Sequence, residues 1–139
     1  MKRTFYLGLQ ICGLFLCLNC FGADQLKTTY LYKGFDTNGN QVVEGVLNFS
    51  INATNRVQGD WNLHEVDTNK LKKLGPQTGS GKLIGQIIDG KINLDLNPGW
   101  ADNNVILNGL ITSTNIMGTW GYYGFAGKLS GGKFEAAKK

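Results

Sequence analysis

Apolar and polar residues alternate through most of this chain, and one beat recurs: apolar, any residue, glycine, any residue, large apolar. It reads Val57-Gln58-Gly59-Asp60-Trp61, Leu83-Ile84-Gly85-Gln86-Ile87, Leu107-Asn108-Gly109-Leu110-Ile111 and Ile116-Met117-Gly118-Thr119-Trp120, with a looser copy at Val43-Glu44-Gly45-Val46-Leu47. Period two is the mark of a half-buried strand, because successive side chains leave a sheet on opposite faces. A glycine in mid-strand weakens a flat sheet, so its repetition predicts strands that bend sharply or crowd a facing group. Strands bounded by turn residues are predicted over 29–35, 41–52, 56–65, 81–88, 91–96, 104–112, 115–123 and 128–137. Asn38-Gly39 supplies the positive φ angles of a tight hairpin between the first two. In the long 66–80 connection, 69–74 has the composition of one or two helical turns, with Asp67 or Thr68 as its cap and Gly75-Pro76 as its end. No helical segment is long enough for a crossover. The strands therefore form an all-β, antiparallel up-and-down meander of about eight, enough to close into a small barrel without exposed edges. A two-sheet β-sandwich is the competing architecture.

Alternation also selects an interior. Val43, Leu47, Phe49, Val57, Trp61, Leu63, Leu83, Ile87, Ile92, Leu94, Leu96, Val105, Leu107, Ile111, Ile116, Trp120, Tyr122 and Phe134 are predicted to converge there, with Ile51 on the same face of its strand. An eight-stranded barrel is just wide enough to be filled by side chains or to hold one small ligand. Bulky residues argue for filling, whereas each glycine removes volume and leaves room for a niche. Trp61, Trp120 and Tyr122 are thus either core or the walls of a shallow pocket. Gly59-Asp60-Trp61 and Gly118-Thr119-Trp120 match the glycine-any-tryptophan element of calycin-like barrels, and in this the chain resembles lipocalins, fatty-acid carriers and avidins. The resemblance implies the architecture of a small antiparallel barrel.

The first residues look like a targeting segment. Lys2 and Arg3 precede an apolar stretch, and Cys20-Phe21-Gly22 places small residues where a signal peptidase reads, so 1–22 is expected to be a signal peptide and 23–139 a single domain. The stretch is short for a membrane span of about 20 residues. Cys12, Cys17 and Cys20 all lie in that leader, leaving the mature chain without a disulfide or a cysteine metal site. A lipid anchor at Cys20 is the disfavoured alternative, since Cys17-Leu18-Asn19 fits the apolar-small-small pattern poorly. Removal of Lys2 and Arg3 takes two charges from a formal net +4, and the remaining basic residues form only the short cluster Lys70, Lys72 and Lys73 and the terminal Lys138 and Lys139. That distribution argues against nucleic acid as a partner.

Chemical motifs fall short. Gly75-Pro76-Gln77-Thr78-Gly79-Ser80-Gly81-Lys82-Leu83 resembles a phosphate-binding loop, but it is one residue too long, lacks the hydroxyl after lysine and runs into a strand. Asp36-Thr37-Asn38-Gly39-Asn40 opens like a calcium loop without the later bidentate glutamate. His64, the single histidine, sits on the polar face of its strand, and Asp60 and Glu65 point to opposite faces. No catalytic residue, metal or cofactor is assigned. Ser130-Gly131-Gly132-Lys133-Phe134-Glu135-Ala136 resembles the glycine-rich stretch of dirigent and allene oxide cyclase-like barrels, which implies a barrel cyclase as a third reading. Asn48-Phe49-Ser50 and Asn52-Ala53-Thr54 are formal N-glycosylation sequons.

The remaining aromatic residues stand out by position. Trp100 lies in the 97–103 loop, outside any alternation, and Tyr122-Tyr123-Gly124-Phe125 runs into a glycine-rich turn. Tryptophan is enriched at binding hot spots, and loops on a rigid barrel carry function. The expectation is a secreted or periplasmic, non-enzymatic binding protein that presents Trp100, Tyr122, Tyr123 and Phe125 to a small apolar, aromatic or sugar-like ligand, with Trp61 and Trp120 as pocket walls. The competing expectation is a module that binds an extracytoplasmic protein through its 66–80 and 97–103 loops.

Overall fold

The computed structural model describes residues 26–66 and 74–139. The strands are β1 (Thr28–Phe35), β2 (Gln41–Ile51), β3 (Arg56–Glu65), β4 (Gly79–Ile88), β5 (Lys91–Asp95), β6 (Asn103–Ile111), β7 (Asn115–Gly124) and β8 (Gly127–Lys138). Each pairs antiparallel with the next, and β1 pairs with β8, so the sheet closes into one eight-stranded meander barrel. The sandwich alternative is thereby removed. The helical turn expected over 69–74 and the segment 1–22 fall on or overlap residues outside the described ones.

Closure of so few strands requires strong coiling, and the mid-strand glycines permit it. At Gly59 a Cβ would fall on the Asn48 carbonyl and lie 2.7 Å from Phe49 Cα, and at Gly118 it would fall on the Asn108 carbonyl. The neighbouring strand passes through the space a side chain would need. The volume left beside other glycines is occupied. Trp61 packs its indole 2.9 Å from the Cβ position of Gly81, and Val43 and the Tyr32 hydroxyl take the space beside Gly34.

The predicted inward residues are all buried or packed partly buried against the core, and Tyr30, Tyr32, Val42, Leu74 and Ala136 join them. Ile51 is a correction: it is exposed, because it ends β2 at the rim, while Ser50 is buried. Tyr30 stacks on Phe49 at 4.9 Å between ring centroids and Tyr32 on Phe134 at 5.7 Å. Among the described residues, the barrel interior is packed with its own side chains, with Trp120, Tyr32, Phe49, Leu47, Leu94 and Leu107 each essentially inaccessible. The outward positions carry Lys33, Glu44, Asn48, Asp60, Lys82 and Asn93. Leu31, Ile84, Leu110 and Met117 are also exposed on the strands, so the outer face is mixed rather than uniformly charged.

Candidate functional site

Strands β1, β3, β5 and β7 run towards one end, so the connections leaving them share that end, and the short turns at 52–55, 89–90 and 112–114 occupy the other. Trp100 and Phe125 therefore lie at the same end. Asn103 pairs with Gly124, and the Gly124 Cβ position is 3.5 Å from the Asp102 carbonyl oxygen, which sets the foot of the Trp100 loop beside the hairpin that carries Phe125.

The Trp100 loop is braced at its feet. The Asn97 backbone N–H donates to Asp95 Oδ1 at 2.9 Å, the Asn97 Nδ2 donates to the Asn103 carbonyl at 2.7 Å, and Gly99 turns at φ +96°. Trp100 is held at the top of this clamp with 59% of its surface exposed, and Phe125 at its hairpin tip is 93% exposed. The neighbouring aromatics divide. Tyr122 points inward against the core, and a Cβ at Gly75 would fall on its ring. Tyr123 points outward and lies over Gly121, its ring 2.7 Å from the Cβ position there. The four residues expected to form one rim are thus two exposed contacts, Trp100 and Phe125, flanked by an inward and an outward tyrosine.

Trp61 and Trp120 are core. Trp61 Nε1 donates to the Leu96 carbonyl at 2.7 Å, and Trp120 Nε1 donates to the Phe35 carbonyl at 2.8 Å. Buried indole N–H groups of this kind need a partner, and here each ties a strand to a distant segment at the loop end. His64 lies exposed, its Nε2 3.2 Å from Glu44 Oε1. The Asp36 carboxylate accepts the Asn38 and Asn40 backbone N–H groups and the Asn40 side chain, which holds its pKa below the ordinary carboxylate value. Its lone pairs serve the turn rather than a cation. Among the described residues, no group of three acidic, histidine or cysteine side chains is placed to hold a metal.

Sequence patterning missed a buried polar group at this end. Gln77 is fully buried in an irregular segment, with Oε1 3.5 Å from the Tyr32 hydroxyl and Nε2 without a partner. Burial raises the Tyr32 hydroxyl well above the ordinary tyrosine range. Glu65 Oε1 is also buried without a hydrogen-bond partner. Only a loop glutamine between Pro76 and Thr78 signalled this feature, and no periodicity applies there.

No protein-family model, curated protein or solved structure matches this chain.

Proposed function

We propose that the protein is an extracytoplasmic, non-enzymatic binding module that meets a protein partner with the loop-bearing end of a filled barrel. One observation carries this reading: Trp100 and Phe125 stand exposed at the same end of a barrel whose interior is taken up by its own side chains. Tryptophan is enriched at binding anchors, and loops on a rigid barrel are where such anchors are carried. The calycin-like resemblance enters as architecture and secretion, with the ligand on the outside rather than within. The leader-like 1–22 segment supports the compartment. A small aromatic or sugar-like ligand stacked on Trp100 is the second reading, favoured by the rigid presentation of that one indole.

The test is photocrosslinking in the native host, with benzoylphenylalanine at position 125 and, as control, at position 27 near the opposite end. A protein-sized adduct from position 125 that Trp100→Ala abolishes supports the reading. Identical adducts from both positions, or an adduct indifferent to Trp100→Ala, removes it. Trp100→Ala should leave thermal unfolding nearly unchanged, since exposed substitutions usually move stability by less than about 0.5 kcal/mol.

A further inference from the structure

The sequence holds two Asn-Gly pairs, Asn38-Gly39 and Asn108-Gly109, and the fold treats them in opposite ways. A glycine after asparagine leaves its backbone nitrogen sterically open to the asparagine side chain, and its backbone turns freely. Attack of that nitrogen on the side-chain Cγ closes a five-membered imide. Closure requires rotation about the asparagine Cα–C bond, out of the extended range of a strand, until the nitrogen faces Cγ.

Asn108 lies in the middle of β6, in register with Asn93 on β5 and Thr119 on β7. Its Oδ1 accepts from Asn93 Nδ2 at 2.7 Å, its carbonyl fills the place of a Gly118 Cβ, and a Cβ at Gly109 would lie 2.7 Å from the Met117 carbonyl oxygen. Rotation there breaks the ladder on both sides of β6. Asn38 stands exposed in the turn between β1 and β2. Its side-chain amide makes no hydrogen bond among the described residues, Gly39 turns at φ +85°, and nothing lies within 4 Å of the Gly39 Cβ position. The Gly39 N–H is tied only to the Asp36 carbonyl at 3.1 Å, and a single bond at a hairpin tip opens without the rest of the sheet.

We propose that Asn38 is a self-modification site: in the folded protein it converts to aspartate and isoaspartate, while the sheet preserves Asn108. The Gly39 nitrogen gives its proton to solvent base and bonds to Asn38 Cγ, the Cγ–Nδ2 bond breaks, and the side-chain nitrogen leaves as ammonia. Water then opens the imide. Breaking the new N–Cγ bond gives aspartate, whereas breaking the original peptide bond leaves the chain running through the side chain as isoaspartate. Either product sets a second carboxylate beside Asp36, whose oxygens already accept the Asn38 and Asn40 backbone N–H groups. The isoaspartyl link also adds one carbon to the turn, which displaces the Gly39 N–H from the Asp36 carbonyl. The inference concerns the turn alone and does not depend on the reading of Trp100 and Phe125.

The test is incubation of the folded protein at mildly alkaline pH, with peptide mapping by mass spectrometry and enzymatic methyl labelling of isoaspartate. Acid and isoaspartate should accumulate at position 38 about tenfold or more faster than at position 108, and in concentrated urea the two rates should agree within about threefold. Asn38→Gln, whose longer side chain closes a ring less readily, should remove the isoaspartate label from the folded protein with unchanged circular dichroism. In the converted protein, separated by anion exchange, the Gly39 and Asn40 amides should exchange faster. Equal rates at the two sites in the folded protein overturn the proposal, as does an Asn38 that stays an amide when folded but converts in urea. Aspartate without isoaspartate overturns the imide route, and unchanged exchange overturns the effect on the turn.

Discussion

A single glycine can carry a backbone angle or a close approach, and this chain separates the two. Gly39 sits in a turn at φ +85° with open space where a Cβ would stand, whereas Gly59 has an ordinary angle and a neighbouring carbonyl in that place. Gly39→Ala should therefore cost about 1 kcal/mol, the penalty of a left-handed alanine. Gly59→Ala should cost about 3 kcal/mol or more, because a backbone rather than a flexible side chain must move. Urea unfolding of both variants checks the order; equal losses would contradict the crowding argument.

Two aspartates set opposite signs on pH dependence. Burial raises the Asp95 carboxyl above its ordinary value of 3.8, against the lowering effect of the Asn97 N–H. A raised folded value favours folding below the ordinary value, and that contribution is lost as pH rises through the folded one. Asp60 is lowered, first by its hydrogen bond from Lys27 and then by Asn48, so its contribution is present above the ordinary value and is lost as pH falls through the lowered one. Asn104 Oδ1 is buried beside Asp95 without a donor, while Asn104 Nδ2 lies 3.4 Å from Asp95 Oδ2. Asp95→Asn keeps an acceptor for the Asn97 N–H and removes a carboxylate that burial disfavours in its charged form. It should stabilise the protein at neutral pH by about 1 kcal/mol. Asp60→Asn, at a solvent-exposed pair, should cost less than about 1 kcal/mol and flatten the acid limb. Melting curves from pH 3 to pH 8 read both signs; destabilisation at neutral pH by Asp95→Asn would contradict the burial argument.

At the scale of strands, the seam between β1 and β8 depends on Trp120, whose indole N–H bonds the last carbonyl of β1. Trp120→Phe keeps an aromatic ring but leaves the Phe35 carbonyl without that donor. It should cost about 2–4 kcal/mol, combining a lost buried bond with lost packing. Hydrogen exchange should rise first at Phe35 and Lys133, and uniform acceleration across the barrel would contradict a local role for this bond. Strand existence and order were legible in the sequence because period-two alternation with glycine leaves few alternatives to a coiled antiparallel sheet. The face of β1 was not legible. In Thr29-Tyr30-Leu31-Tyr32-Lys33 either the tyrosines or the leucine can be inward, and cross-strand stacking on Phe49 and Phe134 decides for the tyrosines. The division of Tyr122 from Tyr123 followed from the same alternation. Burial of Leu74 and Gln77 did not, since it comes from tertiary placement of an irregular segment. The length of the β1–β8 seam was equally invisible, because it depends on where β1 stops pairing, at Phe35↔Lys133.

For the whole molecule, closure decides what the protein offers to others. A meander of eight strands has an interior only wide enough for side chains or one small ligand, and this one is occupied by aromatic and aliphatic residues. What is left exposed at one end is Trp100 on a braced loop and Phe125 at a hairpin tip. The central claim is that the barrel works from its surface and holds nothing within. The most direct measurement is a high-resolution crystal structure of the protein purified from its native host without added ligand. The account predicts density inside the barrel that is fully explained by side chains such as Leu47, Leu94, Leu107 and Trp120, with Trp100 and Phe125 on the surface. Density for a bound organic molecule among those four residues would contradict it and make the protein an internal carrier.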